Sequence, residues 1–180
     1  MKIILCPNPF RDKGLKAAYQ AQRILSAAGA KTEYCFPFPV EKSNIGDIDP
    51  SIKIKEMKTE LPDADFLVCF GGDGTILHAA KDASSFGVPI VGVNMGSVGF
   101  MAELEQGELS DLTRLVSGEY TLENRMLLDV RVIREGRVIF RSTALNDAVI
   151  TKGAVARVID LQVYGDKVLI SNVFGDGVIL

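Results

Sequence analysis

The stretch "LVCFGGDGTILHAA", residues 67–80, decides the fold of the N-terminal half of this chain. An apolar strand runs into a glycine-rich loop, and a helix is predicted to start near Thr75. Glycines let the backbone bring N–H groups close to a ligand, and the helix adds the positive end of its dipole. The loop therefore favours a phosphate or pyrophosphate, and its candidate binding residues are Gly71, Gly72, Gly74 and Thr75. The alternative is a tight turn with a surface helix cap.

Asp73 lies in the middle of this loop, where its negative charge would repel a phosphate. The loop lacks the Lys-Ser/Thr ending of a Walker loop and the spacing of G-x-G-x-x-G. Two roles explain a carboxylate at this position. It can hold a Mg²⁺ ion that screens the phosphates, or it can accept a proton from a hydroxyl that attacks a phosphoryl group. Both roles indicate phosphoryl transfer.

The first part of the chain alternates strands and helices around this loop. Short apolar runs at residues 2–6, 31–36, 65–70 and 88–94 predict buried strands. Helical spacing of apolar residues predicts helices at 15–28, 76–85 and about 109–116, while residues 37–62 form a polar, weakly periodic excursion. This alternation is typical of an α/β fold, here a Rossmann-like parallel sheet with helices on its faces.

The pattern changes near residues 120–125 to valine-rich runs separated by glycine-containing turns. Hairpins are predicted around Glu135-Gly136 and Gly165-Asp166, as in an antiparallel β-region. We therefore divide the chain into an α/β domain, residues 1–122, and a β-rich domain, residues 123–180. The last residues, Ile179-Leu180, lie within a strand-like run. We expect the chain to be the C-terminally incomplete front part of a longer protein.

Composition excludes several classes of function. A net charge of −3 and a pI near 5.2 argue against a nucleic-acid partner, which needs a basic face. The apolar runs have the length of strands, so no membrane span is expected. Three widely spaced cysteines predict reduced, buried thiols in a cytoplasmic protein. With His78 as the only histidine, no histidine-based metal site is expected.

Motifs along nearly the whole chain resemble the NAD kinase family. "FGGDGT" is shared with lipid kinases of the diacylglycerol type, but those carry a Gly-Thr-Gly-Asn stretch that is missing here. "PIVGVNMGSVGFMAEL", residues 89–104, resembles the NAD kinase loop after the next strand. "ALNDAVI", residues 144–150, resembles the second signature of that family, and residues 155–180 resemble its β-domain. A diacylglycerol-type lipid kinase and a non-catalytic nucleotide-binding fragment are the alternatives.

The resemblance implies transfer of the terminal phosphate of ATP, or of polyphosphate, to the 2′-hydroxyl of the adenosine ribose of NAD. It also implies Mg²⁺ or another divalent cation, and a homodimer or homotetramer of the full-length protein. Asp73 would be the general base at that hydroxyl. The implied dinucleotide contacts are Asn146 and Asp147 at adenine and ribose hydroxyls, Gly99 and Phe100 in the adenosine pocket, and Asp176 at the nicotinamide end or a neighbouring subunit.

Other positions have weaker support or depart from the family pattern. His78 stands where the family often has a basic residue near the dinucleotide, but a histidine one turn into a helix is also commonly packed or solvated. Arg157 matches a basic ligand contact of some members, and its alternative is a solvent-facing strand residue. The pair Asn146-Asp147 is also compatible with a β-bulge. Phe174 replaces an arginine of many members, and the family's Ser/Thr/Gly-rich stretch ending in Ala-Tyr is absent.

Overall fold

The computed structural model describes residues 1–41, 48–96, 99–154 and 157–180. Contacts between Cα atoms divide the chain into two units, Met1–Asn124 and Arg125–Leu180, which are described separately below. The proposed domains, residues 1–122 and 123–180, stay a prediction.

A six-stranded parallel sheet is the framework of the first unit, as the sequence predicted. Its order is β3-β2-β1-β4-β5-β6. Two of the strands, β3 and β6, are two-residue strands that the sequence did not predict. The strands are β1 (Lys2–Pro7), β2 (Lys31–Cys35), β3 (Ile54–Lys55), β4 (Phe66–Gly71), β5 (Ile90–Asn94) and β6 (Leu104–Glu105).

Helices cover both faces of this sheet. Within the polar excursion predicted for residues 37–62, Ile54–Lys55 form β3, which pairs with β2, and a short helix begins at Met57. The helix predicted around 109–116 is a 3₁₀ segment followed by a short α-helix, which ends at Gly118 in the left-handed conformation. The helices are α1 (Lys16–Ala27), α2 (Met57–Glu60), α3 (Asp73–Phe86) and α4 (Thr113–Ser117), with 3₁₀ segments at Lys13–Leu15, Leu61–Asp63 and Gln106–Leu112.

Alternation along β1 creates two hydrophobic cores, one on each face. Ile3 and Leu5 belong to the core under α1 and α4, whereas Ile4 and Cys6 belong to the core under α2 and α3. Successive side chains of a strand point to opposite faces, so a strand buried on both sides reads as a continuous apolar run. All four side chains are fully buried, which explains why the sequence predicted this strand correctly.

The topology places a crevice beside the glycine loop. From β1 the chain proceeds to β2 and β3 on one side, and from β4 it proceeds to β5 and β6 on the other. The order therefore reverses between β1 and β4, which are direct neighbours. In open α/β sheets, ligands bind outside the carboxyl ends of the strands at such a switch point. The loops that follow β1 and β4 form the two sides of this crevice.

The three cysteines are free thiols, and all are buried. Burial raises the pKa of the Cys6 thiol well above its ordinary value, and its hydrogen bond with Cys69 acts in the same direction. Burial also raises the pKa of the Cys35 thiol to about 12. Reactive thiols need a thiolate and access to solvent, so the structure gives these two cysteines a packing role.

Asp12 is a buried carboxylate that the sequence reading did not single out. Its side chain is 2% exposed, and its two oxygens accept the backbone N–H groups of Ala17 (3.0 Å) and Ala18 (2.9 Å). These groups belong to the first turn of α1, where N–H groups have no partner within the helix. Asp12 therefore fixes the loop after β1 to the start of α1.

Replacing Asp12 with alanine should lower the free energy of unfolding by about 2 kcal/mol, because two helix N–H groups lose their acceptor. Asp49 offers a matched control, since its exposed carboxylate accepts the N–H of Ser51 at 2.8 Å. Asp49→Ala should change the same free energy by less than about 0.5 kcal/mol. Urea unfolding of both variants checks this, and equal losses would contradict the capping role.

The second unit consists of antiparallel pairs, as predicted. The Glu135-Gly136 turn is confirmed, with positive φ at both residues (50° and 73°), as a type I′ hairpin requires. The second turn lies one residue later than predicted, at Asp166-Lys167. The pairs join β7 (Leu128–Arg134) to β8 (Arg137–Ala144), β9 (Val149–Thr151) to β12 (Gly177–Ile179), and β10 (Ile159–Gly165) to β11 (Val168–Gly175).

In the described ranges, no helix combines the length and the apolar composition that crossing a membrane requires.

Candidate functional site

The glycine loop joins β4 to α3 at the carboxyl end of the sheet. Gly71 is the last residue of β4, Gly72 is the N-cap, and Asp73 is the first residue of the helix, two positions earlier than predicted. A Cβ atom on Gly71 would lie 2.2 Å from Oγ1 of the buried Thr75. Glycine is therefore needed at position 71 for packing alone.

Gly72 and Gly74 have a different environment. A Cβ atom on either residue would meet no heavy atom within 4 Å, and neither residue has a positive φ. The fold of the described chain thus gives no steric or conformational reason for glycine at these two positions. Both lie at the N-terminus of a 14-residue helix, where backbone N–H groups are free to bind an anion. Open space at a glycine is what close approach of a ligand to the backbone requires.

The carboxylate of Asp73 does not cap its own helix, because α3 has no side-chain cap hydrogen bond. Instead Oδ1 accepts the backbone N–H of Met101 at 3.1 Å, and Oδ2 accepts that of Phe100 at a longer 3.4 Å. The helix-cap alternative for this residue is therefore wrong. Asp73 holds the loop that follows β5 against the glycine loop, and the hydrogen bond from the Phe100 N–H brings these two predicted site residues together.

Asn94, at the end of β5, holds the same loop through hydrogen bonds of its side chain. Its buried amide donates to both carboxylate oxygens of Glu105 (3.1 and 3.3 Å), and its Oδ1 accepts the N–H of Gly96 at 3.0 Å. Gly99 packs so closely on this amide that a Cβ atom would lie 3.1 Å from the Asn94 Cγ atom. Gly99 therefore has a packing role in addition to its predicted place in a ligand pocket. The ring of Phe100 is 88% exposed and is thus available to a ligand.

Asn8 joins the other side of the crevice to the glycine loop. It directly follows β1, its N–H donates to the carbonyl of Phe70 (2.9 Å), and its amide Nδ2 donates to Oγ1 of Thr75 at 3.0 Å. Thr75 is buried, so this hydroxyl positions the loop after β1 relative to α3. The sequence reading missed Asn8. The available signal was a polar residue directly after a buried strand, at the point where the sheet order reverses.

Three aromatic rings lie at the same end of the first unit. Phe10 and Phe38 are nearly parallel, with 6.2 Å between ring centroids and 8° between planes. The edge of His78 meets Phe38 at 5.4 Å and 67°. The structure thus places His78 on an aromatic neighbour, which is the packed alternative considered for this residue, although its side chain is still exposed.

The remaining predicted site residues belong to the second unit. Asn146 and Asp147 are exposed in the bend between β8 and β9, and Arg157 is exposed just before β10. No bulge is found at the Asn146-Asp147 pair, which lies outside the strands. Asp176 connects β11 to β12, and its carboxylate forms a 2.8 Å ion pair with the Lys152 ammonium group.

Residues that could hold a divalent cation are few. Within the described ranges, no group of three or more His, Cys, Asp or Glu side chains is placed to bind a metal ion. Mg²⁺, however, keeps several water ligands and is commonly held by one or two carboxylates together with substrate phosphates. The single carboxylate of Asp73 in the glycine loop fits an ion that arrives with the phosphates, and it does not fit a dedicated protein cage.

These elements define a class of protein. A parallel α/β sheet carries, beside its switch point, a glycine loop with open space for phosphates and a carboxylate held by neighbouring N–H groups. Phosphate-binding enzymes that transfer a phosphoryl group to a hydroxyl need this combination of a cradle and a proton acceptor.

Comparison with known proteins narrows this class. Residues 3–120 match the family model described as the ATP-NAD kinase N-terminal domain. The chain therefore belongs to the ATP-NAD kinase family. It is 31% identical over 180 residues to the NAD kinase of Ruminiclostridium cellulolyticum, covering 99% of this chain. It is 40% identical over 119 residues to that of Symbiobacterium thermophilum, covering 66% of this chain and 42% of the relative.

The fold has a solved counterpart in yeast NADH kinase, whose crystal structure was determined as a complex with NADH. The TM-score is 0.78 at 18% identity, covering 99% of this chain and 56% of that one. At this identity the likeness concerns the fold. The chain spans about 60% of the length of the R. cellulolyticum relative.

Proposed function

We propose that the protein to which this chain belongs is an NAD kinase, which transfers the terminal phosphate of ATP to the 2′-hydroxyl of the adenosine ribose of NAD and forms NADP. The observation that carries the proposal is the open space at Gly72 and Gly74, where a Cβ atom would meet no heavy atom within 4 Å and the fold does not require glycine. Membership of the ATP-NAD kinase family supports phosphates as that ligand. A cytoplasmic location and a homo-oligomer are parts of this proposal.

Asp73 has the role of general base. The hydroxyl oxygen of the acceptor forms a bond to the terminal phosphorus, its proton moves to the Asp73 carboxylate, and the bond between that phosphorus and the bridging oxygen breaks. Two N–H donors, from Phe100 and Met101, fix the orientation of the carboxylate before the substrate arrives. Such preorganisation means that little reorientation is needed during the reaction.

The backbone of Gly71, Gly72, Gly74 and Thr75 supplies the phosphate cradle. A divalent cation, when bound with the donor, would offset the charge of the phosphates. On the acceptor side we assign Gly99 and Phe100 to the adenosine of NAD. From the second unit we assign Asn146, Asp147, Arg157 and Asp176 to the dinucleotide. The exposure of these four side chains supports a role in binding, because none is needed for a buried core.

A donor-by-acceptor assay of the full-length protein tests this function. ATP and inorganic polyphosphate are each combined with NAD, NADH and a diacylglycerol, and phosphorylated products are separated by chromatography. We expect NADP from ATP and NAD. Phosphorylated diacylglycerol without NADP would replace the proposal with the lipid-kinase alternative. Parallel assay of residues 1–180 decides whether this part is catalytic or only binds nucleotide.

A further inference from the structure

The aromatic rings at the carboxyl end of the sheet have no part in the mechanism above. Phe10 and Phe38 each follow a strand by three residues, β1 and β2 respectively, and His78 lies in α3. Phe10 is 52% exposed. Phe38 stacks on the Phe10 ring, and His78 contacts Phe38 in turn. Solvent still reaches Phe10.

This aromatic group lies within reach of the phosphate cradle by two routes. His78 follows Gly74 by four residues, a distance of about 6 Å along the helix axis. Phe10 follows Asn8 by two residues, and its N–H donates to the Asn8 side chain (3.0 Å), which itself contacts Thr75. The loop that carries Phe10 is therefore connected directly to the glycine loop.

Charge near Phe10 also suits a nucleotide. Arg11 and Lys13 lie in the same loop, and both are exposed. Neither forms an ion pair with any carboxylate in the part of the chain that the structure describes. Two unpaired cations beside an exposed aromatic ring offer phosphate neutralisation and base stacking in one short segment, and this combination recurs in proteins that bind nucleotides.

The sheet order separates this group from the acceptor side. The loop after β1, with Phe10, lies on one side of the glycine loop, and the loop after β5, with Phe100, lies on the other. In-line phosphoryl transfer needs the attacking hydroxyl and the leaving group on opposite sides of the phosphorus. If Phe100 serves the acceptor adenosine, the β1 side is left for the donor.

We infer that Phe10, supported by Phe38 and His78, is the stacking site for the purine base of the nucleoside triphosphate donor, with Arg11 and Lys13 beside its phosphates. This inference rests on the proposed function for the direction of transfer, but not for binding of the nucleotide. It assigns the preference for a nucleotide donor over an inorganic polyphosphate to the loop after β1.

Binding of two probes to the full-length protein tests the inference. The probes are a non-hydrolysable ATP analogue with an imido bridge and inorganic triphosphate, which carries phosphates without a base; calorimetry measures both. Phe10→Leu keeps an apolar side chain but removes the aromatic face. It should weaken binding of the ATP analogue roughly 5- to 50-fold and leave triphosphate binding within about twofold. Arg11→Gln should weaken both probes.

Matched controls separate stacking from damage to the fold. Phe86 is also an exposed phenylalanine (45%), but it ends α3, about 20 Å along the helix from Asp73. Phe86→Leu should change neither probe, and Phe10→Tyr should retain binding of the analogue. Melting temperatures of all variants verify that they are folded.

The outcomes distinguish this inference from the proposed function. Unchanged analogue binding in Phe10→Leu, or equal weakening of both probes, overturns the stacking site. Absence of analogue binding to the unmodified protein overturns it as well. Loss of analogue binding in Phe10→Leu, in a protein that makes no NADP, would support the stacking site while the proposed function fails. Normal NADP formation with an unchanged KM for ATP in Phe10→Leu would support the proposed function and overturn the stacking site.

Discussion

Replacing Asp73 with asparagine should lower kcat for NADP formation by at least about 100-fold, because the acceptor hydroxyl loses its general base. The amide has nearly the same shape as the carboxylate but cannot take up a proton at neutral pH. KM for NAD should change much less, since binding does not need the base. Steady-state kinetics of the full-length protein, with NADP measured by a coupled dehydrogenase, gives both parameters.

Asp73→Asn also alters the contact between Asp73 and the loop after β5. Both carboxylate oxygens accept N–H groups, from Met101 and Phe100. An asparagine keeps one acceptor, but its NH₂ group then faces the second N–H donor. Part of any loss can therefore come from displacement of the loop after β5. Displacement should raise KM for NAD and lower the melting temperature, whereas loss of the base affects kcat.

Asp82→Asn is the matched control for Asp73→Asn. Asp82 lies in the same helix, nine residues further on, and its replacement with asparagine changes the charge by the same amount. Asp82 is half-buried and lies away from the glycine loop, so its replacement should leave kcat within about twofold. Ordinary NADP formation by the Asp73→Asn variant would refute the catalytic assignment. A tenfold loss in Asp82→Asn would show that helix charge, and not a general base, controls the rate.

Much of the fold could be predicted because burial leaves a local pattern in the sequence. The runs that form β1, β4 and β5 are continuous and apolar because helices cover both faces of the sheet. The turn at Glu135-Gly136 was predictable since glycine favours positive φ. The second hairpin was placed one residue too early. There the positive φ values belong to Asp166 and Lys167, and glycine at position 165 is only the last paired residue of the strand.

The contacts that shape the site could not be predicted in the same way. Asn8 contacts Thr75 across 67 residues of sequence, and Asp73 accepts N–H groups from residues 27 and 28 positions away. Such pairs depend on which strands are neighbours in the sheet, and periodicity within one segment carries no information about that. The two-residue strands β3 and β6 were missed for a related reason. Two residues are too few to show alternation, and pairing with β2 and β5 defines them.

The glycines of the loop illustrate how structure separates roles that look equal in sequence. Gly71 is required by the Thr75 side chain, whereas Gly72 and Gly74 face open space. Sequence alone assigned all three to phosphate binding. The distinction leads to opposite expectations for stability and activity.

The double substitution Gly72→Ala, Gly74→Ala should lower kcat/KM for ATP on the order of 100-fold, because two methyl groups would occupy the space that phosphates need and weaken their charge-assisted hydrogen bonds. The free energy of unfolding should stay within about 1 kcal/mol of the original. Alanine at position 74 favours the helix, and alanine is slightly worse than glycine as the N-cap at position 72. Kinetics and urea unfolding of the full-length variant measure the two quantities.

Two further glycines serve as controls with opposite expectations. Gly107 lies in the 3₁₀ segment Gln106–Leu112, and a Cβ atom there also meets nothing within 4 Å. Gly107→Ala should leave both activity and stability unchanged. Gly71→Ala should destabilise the protein, since its methyl group would lie 2.2 Å from Oγ1 of Thr75. If the double variant instead unfolds like Gly71→Ala, or keeps full activity, then glycine at positions 72 and 74 does not serve a phosphate, and the observation behind the proposed function is lost.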